Sequence, residues 1–296
     1  MLGGSQADSI TTIFWEGTEI FMESMGIPAV GKLLMDCWAA AEQAVRRDCD
    51  DNDEEFITAL FRLELKSVVE AVSASGAVQG AFLHDLQQAF PFAAYQSLTK
   101  IAHGLIASVS FPDHSVESKT GGDLGILLVR PDLHVSYGSS QATVDRDYRR
   151  GLLSQAKMFR RDSRWGPLTS GQKRILQTKL SYFALLLYRY SDQIGARRQL
   201  APFQWQLTSN ATVEKMDCWL ISDRFPGPQD SQQILGALID GRIGTDDKGI
   251  IDRDIAPTMR RSLVIKIGWP DDDGPSSTVE LQEHSRAVIH QYVLQR

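Results

Sequence analysis

Two stretches decide how this chain folds: Thr120–Leu128, which reads TGGDLGILL, and Gly151–Phe159, which reads GLLSQAKMF. Each is a short apolar run bounded by glycine or polar residues, the pattern of a buried strand. Side chains alternate along a strand, so Gln155 and Lys157 share one face while Ala156 and Met158 share the other. A polar pair flanking alanine inside an apolar strand is unusual, and burying a lysine is costly unless its ammonium is paired. Asp123 opens the first run, directly after Gly121 and Gly122. If the two strands are neighbours, Asp123, Gln155 and Lys157 converge at one end of a sheet.

Working outward, the segment from about Ser9 to Arg47 reads as helical, with Leu33, Leu34, Cys37, Trp38 and Ala41 at helical spacing and interruptions at Gly26, Pro28 and Gly31. An acidic stretch, Asp48 to Glu55, leads into a helix whose stripe is Ile57, Leu60, Phe61, Leu65, Val68, Val69 and Val72. A second helical region, about Phe82 to Ile106, breaks near Pro91. Beyond the two strands, Pro131 to Arg150 reads as a polar connection. A long helix is expected after Leu168, with Leu176, Leu180, Phe183, Leu187 and Tyr190 as its stripe. Further strands are expected near Phe203–Leu207, Asp217–Ser222 and Ser262–Gly268, and a last helix over Val279–Leu294. This order predicts an α/β or α+β chain built on one sheet with helices on its faces. It divides into an N-terminal helical extension, residues 1–50, and a main domain, residues 51–296.

Composition sets outer limits. The 296 residues are 43% hydrophobic and 23% charged, globular values that exclude a wholly disordered chain. The longest apolar runs, such as Tyr182–Tyr188, fall far short of the roughly 20 residues of a membrane span, so no membrane is expected as partner. No secretory signal is visible at the N-terminus, and three scattered cysteines form no CxxC pair; together these point to a reducing cytoplasm. The net charge is −6, but ten basic residues and only two acids lie between Arg146 and Lys179. That asymmetry is the footprint of a phosphate-binding face on an acidic body, or of a solvated helix-and-loop surface.

At TGGDLGILL and GLLSQAKMF the sequence resembles the PD-(D/E)xK nuclease superfamily, most closely the branch whose members read "tGaD…QAK". The resemblance implies a restriction-endonuclease-like central mixed sheet flanked by helices, and metal-dependent cleavage of DNA with Mg²⁺ or Mn²⁺. It assigns Asp123 and Gln155 to metal, Lys157 to catalysis, and Glu117, in VESKTGGD, to the metal shell. A further acid is expected from the first core helix: Glu55, with Glu64 second. Arg149, Arg150, Arg160, Arg161 and Arg164 would hold the phosphate backbone, contacts that give affinity without sequence specificity. Gln155 departs from the acid usual at its position. It can donate an oxygen but no charge, so weaker metal binding is implied.

Other motifs carry less. The six histidines are scattered, no GxSxG elbow supports a serine triad, and GRIGTDDKG at 241–249 lacks the ending of a P-loop. Trp165 beside Arg160, Arg161 and Arg164 fits base stacking or a core anchor. Two other readings stay open. One is a catalytically weakened or inactive nuclease-fold subunit that binds nucleic acid or a partner protein. The other is a subunit of a bacterial restriction or anti-phage defence system that docks a protein partner through its N-terminal helices. Homo-oligomerisation is also left open.

Overall fold

A computed structural model describes residues 11–15, 18–24, 26–49, 54–91, 93–111, 124–137, 141–159, 170, 174, 178, 182–190, 199–207, 229–255, 262–270 and 278–280. The chain starts as strands. β1 (Thr11–Trp15) and β2 (Thr18–Ser24) pair antiparallel, so the helical reading from Ser9 is corrected over these residues. The run TTIFW is β-branched and aromatic, the composition that favours a pleated surface. Gly26, at φ 62, turns the chain into α1 (Pro28–Asp48). Pro28 is no interruption there; it begins the helix, where its missing N–H costs nothing. The helix start has no local side-chain cap. Asp85 supplies it from elsewhere, accepting from Ala29 N at 2.8 Å and Val30 N at 3.1 Å.

α2 (Glu54–Ala74) carries Glu54 and Glu55 in its first turn, where acids oppose the helix dipole. It buries Ile57, Phe61, Leu65 and Val69, a single stripe at four-residue spacing. α3 (Ala77–Ala89) and α4 (Tyr95–Ala102) complete the helical half, broken near Pro91 as the sequence predicts. No helix among the described residues is long and apolar enough to cross a membrane.

The rest is a mixed sheet flanked by these helices. Its strands are β3 (Ile106–Ser110), β4 (Leu124–Tyr137), β5 (Gln141–Met158), β6 (Phe183–Tyr188), β7 (Gln204–Leu207), β8 (Gln229–Asp230), β9 (Ser262–Gly268) and β10 (Thr278–Glu280), together with β1 and β2. The middle runs β3-β9-β4-β5-β6-β7. β4 and β5 are antiparallel, β5 and β6 parallel, and β9 enters parallel to β4 and antiparallel to β3. β4 and β5 extend well past the expected runs, so Pro131 to Arg150 is mostly strand and not a connection. Pro131, which has no N–H to donate to a ladder, falls at a register shift between Arg130 and Asp132. The extended arm is flanked by β2 on β4 and β10 on β5.

Two more expectations change. Phe183–Tyr188 is a fully buried strand and not the end of a helix. Thr278–Glu280 is a strand on β5 and not a helix start; 281–296 and the strand expected at 217–222 lie outside the described residues. α5 (Ser231–Ile239) begins on a capping box of Asp230 and Gln233. A helical turn follows at Lys248–Ile255.

The two faces of the sheet are covered unequally. On one, the side chains of Leu124, Ile126, Leu128, Leu152, Ala156, Ala184, Leu186 and Tyr188 join those of α1–α5 in one large core. Trp38 of α1 packs its ring against Phe61 of α2, centroids 4.7 Å apart and planes tilted by 59°, so the first helix belongs to that same core. On the other face, Leu127, Val129, Leu153, Phe183, Leu185 and Leu187 form a smaller cluster with Ile251 and Ile255.

Candidate functional site

Gln155 and Lys157 lie near the end of β5, between β4 and β6 in the centre of the sheet. Gln155 pairs with Leu185 and Lys157 with Leu187, so both stand on the face of the smaller cluster. They are 1% and 7% exposed, so an amide and a lysine are buried on the face that carries Leu153, Leu185 and Leu187. The Gln155 amide donates through Nε2 to Ala156 O at 3.5 Å, which turns its nitrogen toward the strand backbone. Strand alternation thus sets the two side chains as the sequence predicts. The last described pair of the β4–β5 ladder is Leu124 with Ser154. Asp123 immediately precedes Leu124 in sequence, and Gln155 immediately follows Ser154. Asp123 and Glu117 themselves lie outside the described residues.

The first turn of α2 grips this end of the sheet from the large-core side. Met158 N donates to Glu54 Oε2 at 3.1 Å, and the hydroxyls of Thr58 and Tyr188 meet at 3.0 Å. Glu54 is thus an acid of the first turn that bonds β5, from the side opposite to Gln155 and Lys157. Glu55 is exposed and Glu64 half-buried. The sequence carries a signal for an acid here, the Asp-Glu-rich helix start, but successive residues point about 100° apart around a helix and only the docked orientation separates them. Farther along α2, Arg62 sits 4.5 Å over the Phe111 ring and Lys66 at 5.9 Å. Phe111 is the last described residue before the segment that carries Glu117 and Asp123.

The expected phosphate-binding arginines divide. Arg149 is exposed, while Arg160, Arg161 and Arg164 lie outside the described residues. Arg150 is committed within the protein. It donates to Ile243 O and to Gly244 O, reaches the Tyr148 hydroxyl at 2.9 Å, and lies 3.5 Å from Asp246 Oδ2. A second arginine, Arg130, is buried beside Asp132 at 2.8 Å, donates to Ile239 O at the end of α5, and stacks over Tyr148. These guanidiniums pin the β4–β5 arm to α5 and the loop after it.

Among the described residues no three His, Cys, Asp or Glu side chains cluster as a metal ion would require. Gln155 offers one neutral oxygen, and the acids expected beside it, Asp123 and Glu117, lie outside the described residues. Elsewhere the buried Asp85 and Glu42 carboxylates accept from backbone amides. Burial pushes the Asp85 carboxyl above its ordinary range, and its bonds to the α1 amides pull the other way. No protein-family model matches the chain, and no curated protein matches it.

Proposed function

We propose that the chain is a metal-dependent phosphodiesterase of the restriction-endonuclease-like kind, acting on DNA. The observation that carries the reading is the pair of buried polar side chains, Gln155 and Lys157, on one face of a central strand whose ladder leads in sequence to Asp123. Mg²⁺ or Mn²⁺, held by oxygens of Asp123, Gln155 and Glu117, would supply Lewis acidity toward the scissile phosphate and its attacking water. Lys157 places a positive charge where the transition state gathers negative charge, in a surround poor in water where that charge counts most. Arg149, with Arg160, Arg161 and Arg164, would bind backbone phosphates. Arg150 drops out of that set because its guanidinium is already occupied.

The test is degradation of plasmid and oligonucleotide DNA with Mg²⁺, with Mn²⁺ and with EDTA. Cleavage that needs metal and disappears in Lys157→Ala supports the reading; no cleavage under any metal overturns it. A second reading, the same sheet gripping nucleic acid or a partner without cutting, is favoured by the neutral amide of Gln155. Tight binding without turnover would select it.

A further inference from the structure

We infer that Glu54 is a positioning residue for Lys157, holding the end of β5 through the peptide that the lysine shares with Met158; this rests on the nuclease reading of the site. Phe159 N donates to Tyr188 O at 2.8 Å, so this amide points to β6. Alternate amides of a strand point to opposite edges, and Met158 N–H therefore points toward the β4 side. The last described β4 partner, Leu124, stands opposite Ser154, four residues earlier. Glu54 Oε2 takes the Met158 amide there, at 3.1 Å. Met158 N–H and Lys157 C=O belong to one planar peptide, so fixing the amide also fixes the backbone torsion that aims the lysine. The grip has a second point on the neighbouring strand. Tyr188 is the ladder partner of Met158, and its hydroxyl meets Thr58, one turn along α2 from Glu54. The Thr58 hydroxyl also bonds Glu54 O at 2.7 Å, which stiffens the turn that carries the carboxylate.

Two substitutions separate an acceptor from a charge. Glu54→Gln keeps an oxygen at the same reach without the charge. Glu54→Asp keeps the charge and withdraws the oxygen by one methylene. The proposal expects Glu54→Asp and Glu54→Ala to speed hydrogen exchange at the Met158 amide by about tenfold or more. It expects them to slow single-turnover cleavage at saturating DNA on the order of a hundredfold, the scale of a small misplacement of a catalytic group. Glu54→Gln should stay close to wild type in both. The NMR signal of ¹³C-methylated Lys157 should move in the Asp and Ala proteins and not in the Gln protein. Unchanged exchange and an unmoved Lys157 signal in Glu54→Asp overturn the proposal, as does a Gln protein as impaired as the Asp protein. If Glu54→Ala fails to fold, the Asp and Gln proteins decide. A wild type that cleaves no DNA overturns the nuclease reading alone, because exchange and the Lys157 signal still report whether Glu54 aims the lysine.

Discussion

Ser231 donates its hydroxyl to Glu42 Oε2 at 2.7 Å, joining residues 189 positions apart inside the protein. The same carboxylate accepts Phe203 N at 2.8 Å, and Trp205 Nε1 donates to Ser231 Oγ at 3.0 Å. One buried acid thus ties α1 to β7 and α5, and its protonation is coupled to folding.

Burial pushes the Glu42 carboxyl above its ordinary value of 4.5, and Asp230 adds to that; the bonds from Ser231 and Phe203 and the charge of Arg46 oppose it. Between the ordinary and the raised value the folded chain binds more protons than the unfolded one. Glu42's contribution to stability therefore falls as pH rises through that window. Glu42→Gln removes this titration. Urea melts from about pH 4 to about pH 8 should show the stability difference moving in favour of the glutamine protein as pH rises from 4.5, then levelling. A pH-independent difference would refute it.

Gly151 has no room for a side chain. A Cβ there would collide with Ile255 Cδ1 and stand 3.4 Å from Ile251 Cγ1, and the backbone of Gly151 pairs in both directions with Thr245. Gly151→Ala should cost about 1–3 kcal/mol by overpacking. Ile255→Val removes the colliding methyl, so the double mutant should recover part of that loss. Additive destabilisation of the two single changes in a double-mutant cycle would show that the contact is not the cause.

Arg149 and Arg150 are neighbours in different surroundings, the first exposed and the second bonded within the protein. Arg149→Ala, on an exposed side chain, should change stability by no more than about 0.5 kcal/mol, yet weaken DNA binding similarly for all sequences and reduce its salt dependence. Arg150→Ala abandons the Ile243 and Gly244 carbonyls and should cost about 1–3 kcal/mol. Thermal melts and salt titrations of binding check both. Equal effects of the two changes on stability would erase the distinction.

At the site itself, Gln155→Glu should preserve cleavage or lower the Mg²⁺ it needs, since it adds a charge where an oxygen already stands. Lys157→Ala should abolish cleavage and leave a folded protein. The two residues share a strand face and are both buried, so packing damage should be similar. Rates against Mg²⁺, with melts as folding control, decide; full activity in Lys157→Ala would remove it from catalysis.

What the sequence showed, and what it hid, has physical causes. β9 and the α2 stripe were legible because strand and helix periods were each satisfied by one set of residues. FALLLY at Phe183–Tyr188 was not: a run buried on both faces has no period, and Phe183, Leu187 and Tyr190 fit a helical stripe equally well. The facing of Gln155 and Lys157 followed from alternation alone. The acid that docks on β5 did not, because Glu54 and Glu55 differ only by the rotation at which α2 meets the sheet.

The position of β9 has a consequence for how the protein is made. β3 and β4 lie close in sequence, yet the strand between them is Ser262–Gly268. A ribosome that has released residue 137 has delivered both flanking strands and not their separator. Until Gly268 emerges, each presents an open row of amides and carbonyls, the feature that invites pairing with another chain. Closing so long a loop comes late and slowly. The window in which the half-made sheet can aggregate therefore lasts while residues 138–268 are made, and a nascent chain stalled before residue 262 would keep both edges open.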